Sequence, residues 1–338
     1  MNLMAITMGD PAGIGPEIIA KAFVRSRVRR GRWLVVGDPG MMRRAVGIVG
    51  TSLQVHPIER PEDGLYDPAT IDVLGLPNLH LDNLEFGQVS AVGGHAAFEA
   101  VRTAIELAMA GRVDAVVTAP IHKEALHLAG HDFPGHTEIF AHYTGTPEVA
   151  MMLAEGALRV VHVSTHVSLR QACDCVTRQR VGQTIRLAYA ACRRLGIERP
   201  RIGVAGLNPH ASDGGLFGTE EREHIIPAIE DARQAGMDVE GPLPADTFFA
   251  KALAGAWDIC VAMYHDQGHI PVKMKGFRFD AARGNWSSVG GINVSLGLPI
   301  IRTSVDHGTA FDQAGKGTAS EESLLSALDY AERLAASR

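Results

Sequence analysis

Short apolar runs alternate along the chain with longer stretches in which apolar residues recur every three or four positions. Runs of about four to eight apolar residues are typical of buried strands, whereas the longer period is typical of amphipathic helices. The predicted strands are residues 3–8, 33–36, 115–118, 149–153, 160–163, 202–205, 259–263 and 300–303. The predicted helices are residues 89–110, 179–195 and 320–336. This alternation predicts an α/β fold with a mostly parallel sheet and helices on both faces.

Length and composition narrow the class of protein. A chain of 338 residues suits two domains of ordinary size or one large α/β unit. We expect one domain of residues 1–135 with 305–338 and another of residues 136–304, because the outer segments of such folds often return to one domain. The net charge of -6 and the absence of a Lys/Arg block argue against a nucleic-acid partner. No apolar run has transmembrane length, so no membrane partner is expected.

The four cysteines form no C-x-x-C pair. Two of them, Cys192 and Cys260, lie in apolar surroundings, where a thiol behaves as a small hydrophobe. The N-terminal sequence has no basic region and its apolar part is too short for a signal peptide. These features predict a reducing, cytoplasmic location.

Three histidines come shortly after predicted strands. They are His166, His210 and His265. Ligands of open α/β sheets bind beyond the carboxyl ends of the strands, where distant segments converge. Three neutral imidazoles suit a divalent ion such as Zn²⁺, Co²⁺ or Mn²⁺ and leave a position open for substrate. The alternative is that each is an ordinary histidine in a polar loop.

A second group of residues suits an anion. The sequence Gly135-His136-Thr137-Glu138 opens a helix, whose first backbone N–H groups can bind a negative group. Three cationic side chains, Lys123, Lys273 and Arg302, also lie within or after strands. Together they predict a small acidic substrate that carries carboxylate or phosphate. Ordinary helix capping by Thr137 remains an alternative.

Two glycine-bearing loops stand out, although no G-x-G-x-x-G sequence supports a Rossmann dinucleotide site. "GDPAGIGPE" (residues 9–17) is a strand-to-helix turn with a proline near its start, which alone could be architectural. "HGTAFDQAGKG" (residues 307–317) precedes the last helix and is equally weak evidence by itself.

Taken together, the motifs resemble one family. "MGDPAGIGPE", "TAPIHKEAL", "GHTE", "GLNPHASDGG", "PLPADT", "YHDQG" and "LGLPIIRTSVDHGTAFDQAGKG" are similar to the 4-hydroxythreonine-4-phosphate dehydrogenase family, over residues 7–317. The resemblance implies the isocitrate/isopropylmalate dehydrogenase-like fold, with two α/β/α domains and a cleft between them. It also implies a homodimer with the active site at its interface, and NAD or NADP bound without a Rossmann fingerprint.

The resemblance also implies roles for individual residues. The metal ligands, for Zn, Co, Mn or Mg, fall on His166, His210 and His265, the three histidines that follow strands. The substrate-binding positions fall on His136, Thr137, Lys273, Asn293 and Arg302. The loop that holds the adenosine end of the cofactor falls on His307, Gly308, Thr309 and Gly315.

The implied reaction is oxidation of a 4-phosphorylated 3-hydroxy acid followed by decarboxylation. The metal would lower the pKa of the substrate hydroxyl as hydride leaves, and would then stabilise the enolate formed by loss of CO₂. Asp246 and Lys273 are both candidates for the group that accepts the hydroxyl proton. Asp246 could instead cap the helix that follows it.

Two departures leave the substrate open. Residues 278–291 are an insertion that adds Arg278, Arg283 and Trp286, and that could be either a solvent loop or a lid. The sequence "HDQGHIPVK", which contains His269, resembles a branch of the family. That branch acts on 4-phospho-D-threonate or 4-phospho-D-erythronate rather than on 4-phosphooxy-L-threonine of the vitamin B6 pathway. A terephthalate dihydrodiol dehydrogenase branch shares this histidine. A phosphate acyltransferase of the same fold is the alternative from another class.

Overall fold

The structure is a computed structural model that describes residues 2–25, 31–76, 81, 84–281 and 285–337. The chain divides into two compact units. Unit 1 comprises Met1–Pro147 and Leu298–Ala336, and unit 2 comprises Glu148–Gly297 with the last two residues. Residues 136–147 and 298–304 therefore belong with unit 1, which gives that unit His136, Thr137 and Arg302.

The described residues include strands and helices in regular alternation. Strands β1 to β14 are Leu3–Thr7, Arg32–Gly37, Gln54–Ile58, Thr70–Gly75, Ala115–Thr118, Ala150–Glu155, Leu158–His162, Arg201–Ala205, Asp238–Leu243, Ile259–Ala262, Phe277–Asp280, Asn285–Val289, Ile292–Leu296 and Ile301–Val305. Helices α1 to α11 are Gly15–Arg25, Pro39–Val49, Ala91–Met109, Lys123–Leu128, His136–Thr144, Leu169–Cys175, Arg178–Arg194, Ile226–Gln234, Ala245–Leu253, His265–Gly276 and Glu322–Ala336. Short helical turns of other types cover Pro61–Asp63, Pro209–Gly215 and Glu221–Ile225.

Unit 1 is built on parallel strands in the order β3-β4-β2-β1-β5-β14. All five residues of β1 are buried, as expected for a strand covered on both faces by helices. Helix α11 packs along β14, where the Thr303 hydroxyl donates to the carbonyl of Ala327 at 2.9 Å. Strands β1, β5 and β14 are adjacent and parallel, so their carboxyl ends lie side by side.

Unit 2 has the strand order β13-β6-β7-β10-β8-β9. Strands β7, β10, β8 and β9 run parallel, whereas β6 is antiparallel to both of its neighbours. Apolar side chains from β6, β7, β10 and α9 form one core cluster, in which the Phe248 and Trp257 rings lie 4.7 Å apart. The parallel part of this sheet carries the histidines predicted to bind metal.

The predicted α/β fold is confirmed, and each predicted strand and helix is present within about two residues of its expected ends. The differences concern weaker patterns. Strands β3, β4, β9 and β13 were not predicted, because polar residues, prolines and glycines interrupt their apolar runs. The antiparallel direction of β6 was also not foreseen, since direction is set by pairing rather than by composition.

The insertion contains two antiparallel strands, β11 and β12, rather than an irregular loop throughout. Arg278 is exposed in β11. Arg283 and the side chain of Trp286 lie outside the described part of the structure. Within the described part of the chain, no helix has both the length and the apolar character needed to cross a membrane.

Candidate active site

The three predicted metal histidines follow three adjacent parallel strands of unit 2. His166 comes after β7, His210 after β8 and His265 after β10, and β10 lies between the other two strands. Parallel strands end at the same edge of a sheet, so their following loops share one rim. The expectation that these histidines occupy equivalent topological positions is therefore confirmed by the strand order.

His265 begins α10 and has one ring nitrogen already engaged. Its Nδ1 lies 2.7 Å from Oδ1 of Asp266, and its ring centroid is 5.9 Å from that of His166. A carboxylate on one imidazole nitrogen fixes the tautomer and orients the other nitrogen, as is usual for metal-binding histidines. The Nε2 atom of His265 is the nitrogen that this arrangement leaves for a ligand.

His210 lies in a turn with an unusual backbone. Five successive residues from His210 to Gly214 have positive φ, at 53°, 54°, 70°, 46° and 70°. The left-handed conformation costs roughly 1–2 kcal/mol per residue other than glycine, so four such residues in a row are strained. Strain of this kind persists at functional sites. Nδ1 of His210 lies 3.1 Å from Oδ2 of Asp213, which repeats the carboxylate–imidazole pair seen at His265.

A buried carboxylate fixes the loop that leads into this turn. Glu221, only 1% exposed, accepts hydrogen bonds from the backbone N–H groups of Leu207 at 2.8 Å and Asn208 at 2.7 Å. Gly206 is required nearby, because a Cβ there would lie 2.9 Å from the Cα of Ala211. These contacts hold the strained turn against the end of β8.

The three histidines fit a divalent metal in chemistry, but they do not form a complete cluster among the described residues of one chain. Two of the three rings carry a carboxylate on Nδ1, which suits binding through Nε2. Within the described residues of a single chain, no group of three or more His, Cys, Asp or Glu side chains is arranged to hold a metal ion. The structure thus brings His166 and His265 together, and the three-histidine ligand set stays a prediction.

Unit 1 contains a deeply buried guanidinium at the predicted anion site. Arg302 in β14 is 2% exposed, and its Nη2 donates to the hydroxyl of Thr118 at 2.7 Å. Its Cζ lies 5.6 Å from the centroid of the Phe140 ring. Burial lowers the pKa of Arg302 to about 9, an effect that the nearby Glu138 carboxylate partly opposes. A cation held so far from water is stabilised strongly by a bound anion.

His136 and the N-terminus of α5 lie near Arg302. Helix α5 begins at His136 with Gly135 as its N-cap, so the alternative that Thr137 caps this helix is wrong. The Nε2 atom of His136 is buried and has no hydrogen-bond partner among the described residues. Burial, reinforced by the positive charge of Arg302, holds the pKa of His136 well below its usual value. The first turn of α5, His136 and Arg302 together form a site suited to an anion.

The remaining predicted substrate and catalytic residues lie in unit 2. Lys273 is in α10, with its Nζ 5.2 Å from the centroid of the Phe277 ring. Asn293 is in β13. Asp246 is exposed in the first turn of α9, whose N-cap is Pro244, so the alternative that Asp246 caps this helix is wrong.

The two glycine-bearing loops of unit 1 pack on each other. The backbone N–H of Ile14 donates to the carbonyl of Thr309 at 3.0 Å. His307 has Nδ1 3.0 Å from the carbonyl oxygen of Gly308, and its Nε2 is buried without a partner among the described residues. Burial lowers the pKa of His307. Gly308 is exposed and has open space around it, as a loop that receives a ligand requires.

A fully buried carboxylate, Glu17, ties these two loops together. Its two oxygens accept hydrogen bonds from the backbone N–H groups of Gly315 and Gly317, the latter at 2.7 Å. Sequence reasoning assigned Glu17 no role. The only signal was its position at the end of "GDPAGIGPE", since its partners lie about 300 residues further along the chain.

Replacing Glu17 with glutamine is expected to lower the free energy of unfolding by about 1–3 kcal/mol. Glutamine offers one acceptor oxygen where the carboxylate offers two, so one loop N–H is left unpaired inside the protein. Urea unfolding measures the change, with the exposed Glu124→Gln variant as control. Equal stability of the two variants would show that the Glu17 carboxylate does not hold the loop.

Comparison with known proteins identifies the family. The model of "Pyridoxal phosphate biosynthetic protein PdxA" matches residues 29–331. D-threonate 4-phosphate dehydrogenase of Cupriavidus necator is 50% identical over 340 residues, covering 100% of this chain and 98% of that protein. 4-Hydroxythreonine-4-phosphate dehydrogenase of Beijerinckia indica is 50% identical over 331 residues, covering 98% of this chain and 94% of that protein.

Solved structures agree with these matches. The crystal structure of 4-hydroxythreonine-4-phosphate dehydrogenase from Klebsiella pneumoniae has a TM-score of 0.87 at 44% identity, covering 99% of this chain and 98% of that one. A terephthalate 1,2-cis-dihydrodiol dehydrogenase from Burkholderia xenovorans is less similar, with a TM-score of 0.68 at 33% identity and coverage of 98% and 97%. The resemblance inferred from the motifs is confirmed: the chain belongs to the PdxA family of dehydrogenases.

Proposed function

We propose that this dehydrogenase oxidises the hydroxyl group of a 4-phosphorylated 3-hydroxy acid with NAD or NADP and a divalent metal, and that loss of CO₂ follows. The substrate is D-threonate 4-phosphate, its erythronate isomer or 4-phosphooxy-L-threonine. The full-length similarity to relatives named for such substrates supports the class. Since the two relatives are equally identical to the chain, the choice within the class is left to experiment.

The observation that carries this proposal is the buried cationic site of unit 1. Arg302 is held in place by Thr118 and by the Phe140 ring, and the unpartnered Nε2 of His136 lies at the start of α5. A dianionic phosphate group can accept several hydrogen bonds at once from a guanidinium, an imidazole and helix N–H groups. The site therefore binds the phosphate group of the substrate.

His166, His210 and His265 would hold the metal, each through one imidazole nitrogen. The carboxylates of Asp213 and Asp266 orient two of these rings. The divalent ion, when bound, supplies a Lewis acid that lowers the pKa of the substrate hydroxyl. The strained turn at His210 supports this assignment, because such strain is kept where it positions a functional group.

The loop of residues 307–317 would bind the adenosine end of NAD(P), which supplies the hydride acceptor. His307, Gly308, Thr309 and Gly315 are the contact positions. Support comes from the buried Nε2 of His307, which has no partner among the described residues, and from the way Glu17 shapes the loop. The loop is thus organised before a ligand binds, which lowers the entropy lost on binding.

Lys273 is our first choice for the group that accepts the hydroxyl proton. Helix α10 carries His265, His269 and Lys273 at successive four-residue steps, so the three side chains share one helical face. The base thereby lies along the same face as a proposed metal ligand. Asp246 remains the second choice, from the exposed first turn of α9.

We further propose a homodimer with the active site at its interface. The three segments that carry the metal histidines also expose large apolar side chains, which soluble monomers seldom cluster on their surface. These are Val167, Leu169, Leu216, Phe217, Ile270 and Met274, with exposures of 44%, 64%, 74%, 47%, 56% and 73%. A second copy of the chain would cover them and would complete a metal site that the described residues of one chain leave unfinished.

Two other functions make different demands on the site. Oxidation of a terephthalate dihydrodiol keeps the redox chemistry but does not need a phosphate site. Acyl transfer to or from phosphate needs neither the three histidines nor the loop of residues 307–317. The buried Arg302 and His136 favour the phosphorylated acid over the first, and the carboxylate-oriented histidines favour it over the second.

A substrate panel tests the proposal. NAD(P) reduction is measured with the three phosphorylated acids, their unphosphorylated forms and a terephthalate dihydrodiol, with and without EDTA, beside an acyl phosphate transfer assay. We expect reduction with a phosphorylated acid, loss with EDTA and recovery with added metal. Turnover of the dihydrodiol alone, or acyl transfer without redox, would contradict the proposal.

A further inference from the structure

His269 lies one helical turn after His265 and contacts it in two ways. The two rings stack with their centroids 3.5 Å apart and their planes 14° from parallel. In addition, Nδ1 of His269 donates to the backbone carbonyl of His265 at 2.9 Å. Only 6% of His269 is exposed, so the side chain is part of the interior of unit 2 rather than of its surface.

A second buried histidine, His162, lies against the His269 ring. His162, the last residue of β7, is fully buried and has Nδ1 3.2 Å from the carbonyl oxygen of Met151 in β6. Its ring centroid lies 4.7 Å from that of His269. Gly268 allows this approach, because a Cβ there would lie 2.3 Å from Nε2 of His162. The sheet thereby holds His269 through His162.

These contacts limit the rotamers that the His265 side chain can adopt. Its side chain is 38% exposed, and an exposed imidazole ordinarily samples several rotamers. Stacking on a buried ring restricts rotation about both side-chain torsions, while Asp266 holds Nδ1 at 2.7 Å. A ligand whose orientation is fixed in advance loses less conformational entropy when it binds a metal.

We propose that His269, backed by His162 and Gly268, is a positioning residue that fixes the His265 imidazole for binding a divalent transition metal such as Zn²⁺. This inference rests on the metal site proposed above and extends it to residues that do not touch the metal. His269 thus acts through His265 and does not itself contact the metal or the substrate.

Zinc affinity of the full-length protein tests the inference directly. The metal-free protein is titrated with Zn²⁺ against a chromophoric chelator, and the Co²⁺-substituted protein is examined by absorption spectroscopy. Loss of a group that orients a metal ligand typically lowers affinity about 10–100-fold. We expect this loss for His269→Leu, which removes both the stack and the donor, with an altered Co²⁺ spectrum. His269→Phe keeps a flat ring and should lie between His269→Leu and wild type.

Controls separate this inference from the proposed function and from a general loss of stability. His127→Leu, at an exposed histidine of unit 1, should bind zinc as wild type does. Thermal unfolding of the metal-free variants reports any structural damage, and the Phe variant remains informative if the Leu variant fails to fold. Wild-type zinc affinity in a folded His269 variant would overturn this inference alone. A wild-type protein that binds no zinc would overturn the metal site as well.

Discussion

The His210→Ala variant is expected to lose bound metal and nearly all turnover while remaining folded. Without a metal-activated hydroxyl, the barrier should rise by several kcal/mol, which corresponds to roughly a thousand-fold or more in rate. The fold should survive because the His210 side chain is 61% exposed, beside Asp213 and the Phe217 ring. Metal content after gel filtration, NAD(P) reduction and circular dichroism measure the three expectations.

The control for this variant is His127→Ala, which removes an exposed histidine from α4. Its metal content and rate should equal those of the wild type. Undiminished turnover in folded His210→Ala protein would show that the metal assignment is wrong. Loss of turnover with full metal content would instead assign His210 to contact with the substrate.

The Arg302→Lys variant should bind the phosphorylated substrate more weakly by about 1–3 kcal/mol, seen as a rise in KM of roughly 5- to 150-fold. Lysine keeps the charge but lacks the planar set of donors that can bind phosphate and Thr118 together. Because Arg302 is buried, bulk solvent does not compensate for the missing N–H groups. Steady-state kinetics with the substrate identified by the panel measures the change.

Two comparisons make the Arg302 result specific. Arg178→Lys alters an exposed arginine that pairs with Asp231 on the surface, and it should leave KM unchanged. The KM for an unphosphorylated substrate, where turnover is measurable, should respond much less than that for the phosphorylated one. An unchanged KM for the phosphorylated substrate would remove Arg302 from the anion site.

The sequence predicted the parts of the site that depend on strand order and local pattern. Apolar runs identified β7, β8 and β10, and the segments that follow them carry His166, His210 and His265. Parallel strands in an α/β fold end at one edge, so these loops could be grouped before the structure was known. The anion site was predicted for the same reason, from the start of α5 and the position of Arg302 in β14.

Other features depend on contacts between distant residues and left no local pattern. The left-handed turn at His210 contains His, Ala, Ser and Asp, none of which requires positive φ. It is stabilised by its surroundings, including the packing against Gly206. The buried carboxylate of Glu17 and the hydroxyl of Thr118 bind partners far away in sequence. Their roles become visible only when the partners are located.

His269 is another residue whose role depends on a contact that the sequence does not reveal. In the sequence it was an unexplained histidine close to a predicted metal ligand. Its proposed role rests on stacking with His265, one turn earlier on α10, and on contact with the buried His162 ring of β7. No helix was predicted over these residues, and the contact with His162 was not predictable either, because it requires the position of α10 on the sheet.

Diffraction from crystals of the zinc-loaded protein, collected across the zinc absorption edge, tests the central claim most directly. The account predicts an anomalous peak about 2.0–2.1 Å from one nitrogen each of His166, His210 and His265, counting both copies of the chain. A zinc ion bound elsewhere, or these three rings lying well apart in the dimer, would contradict it.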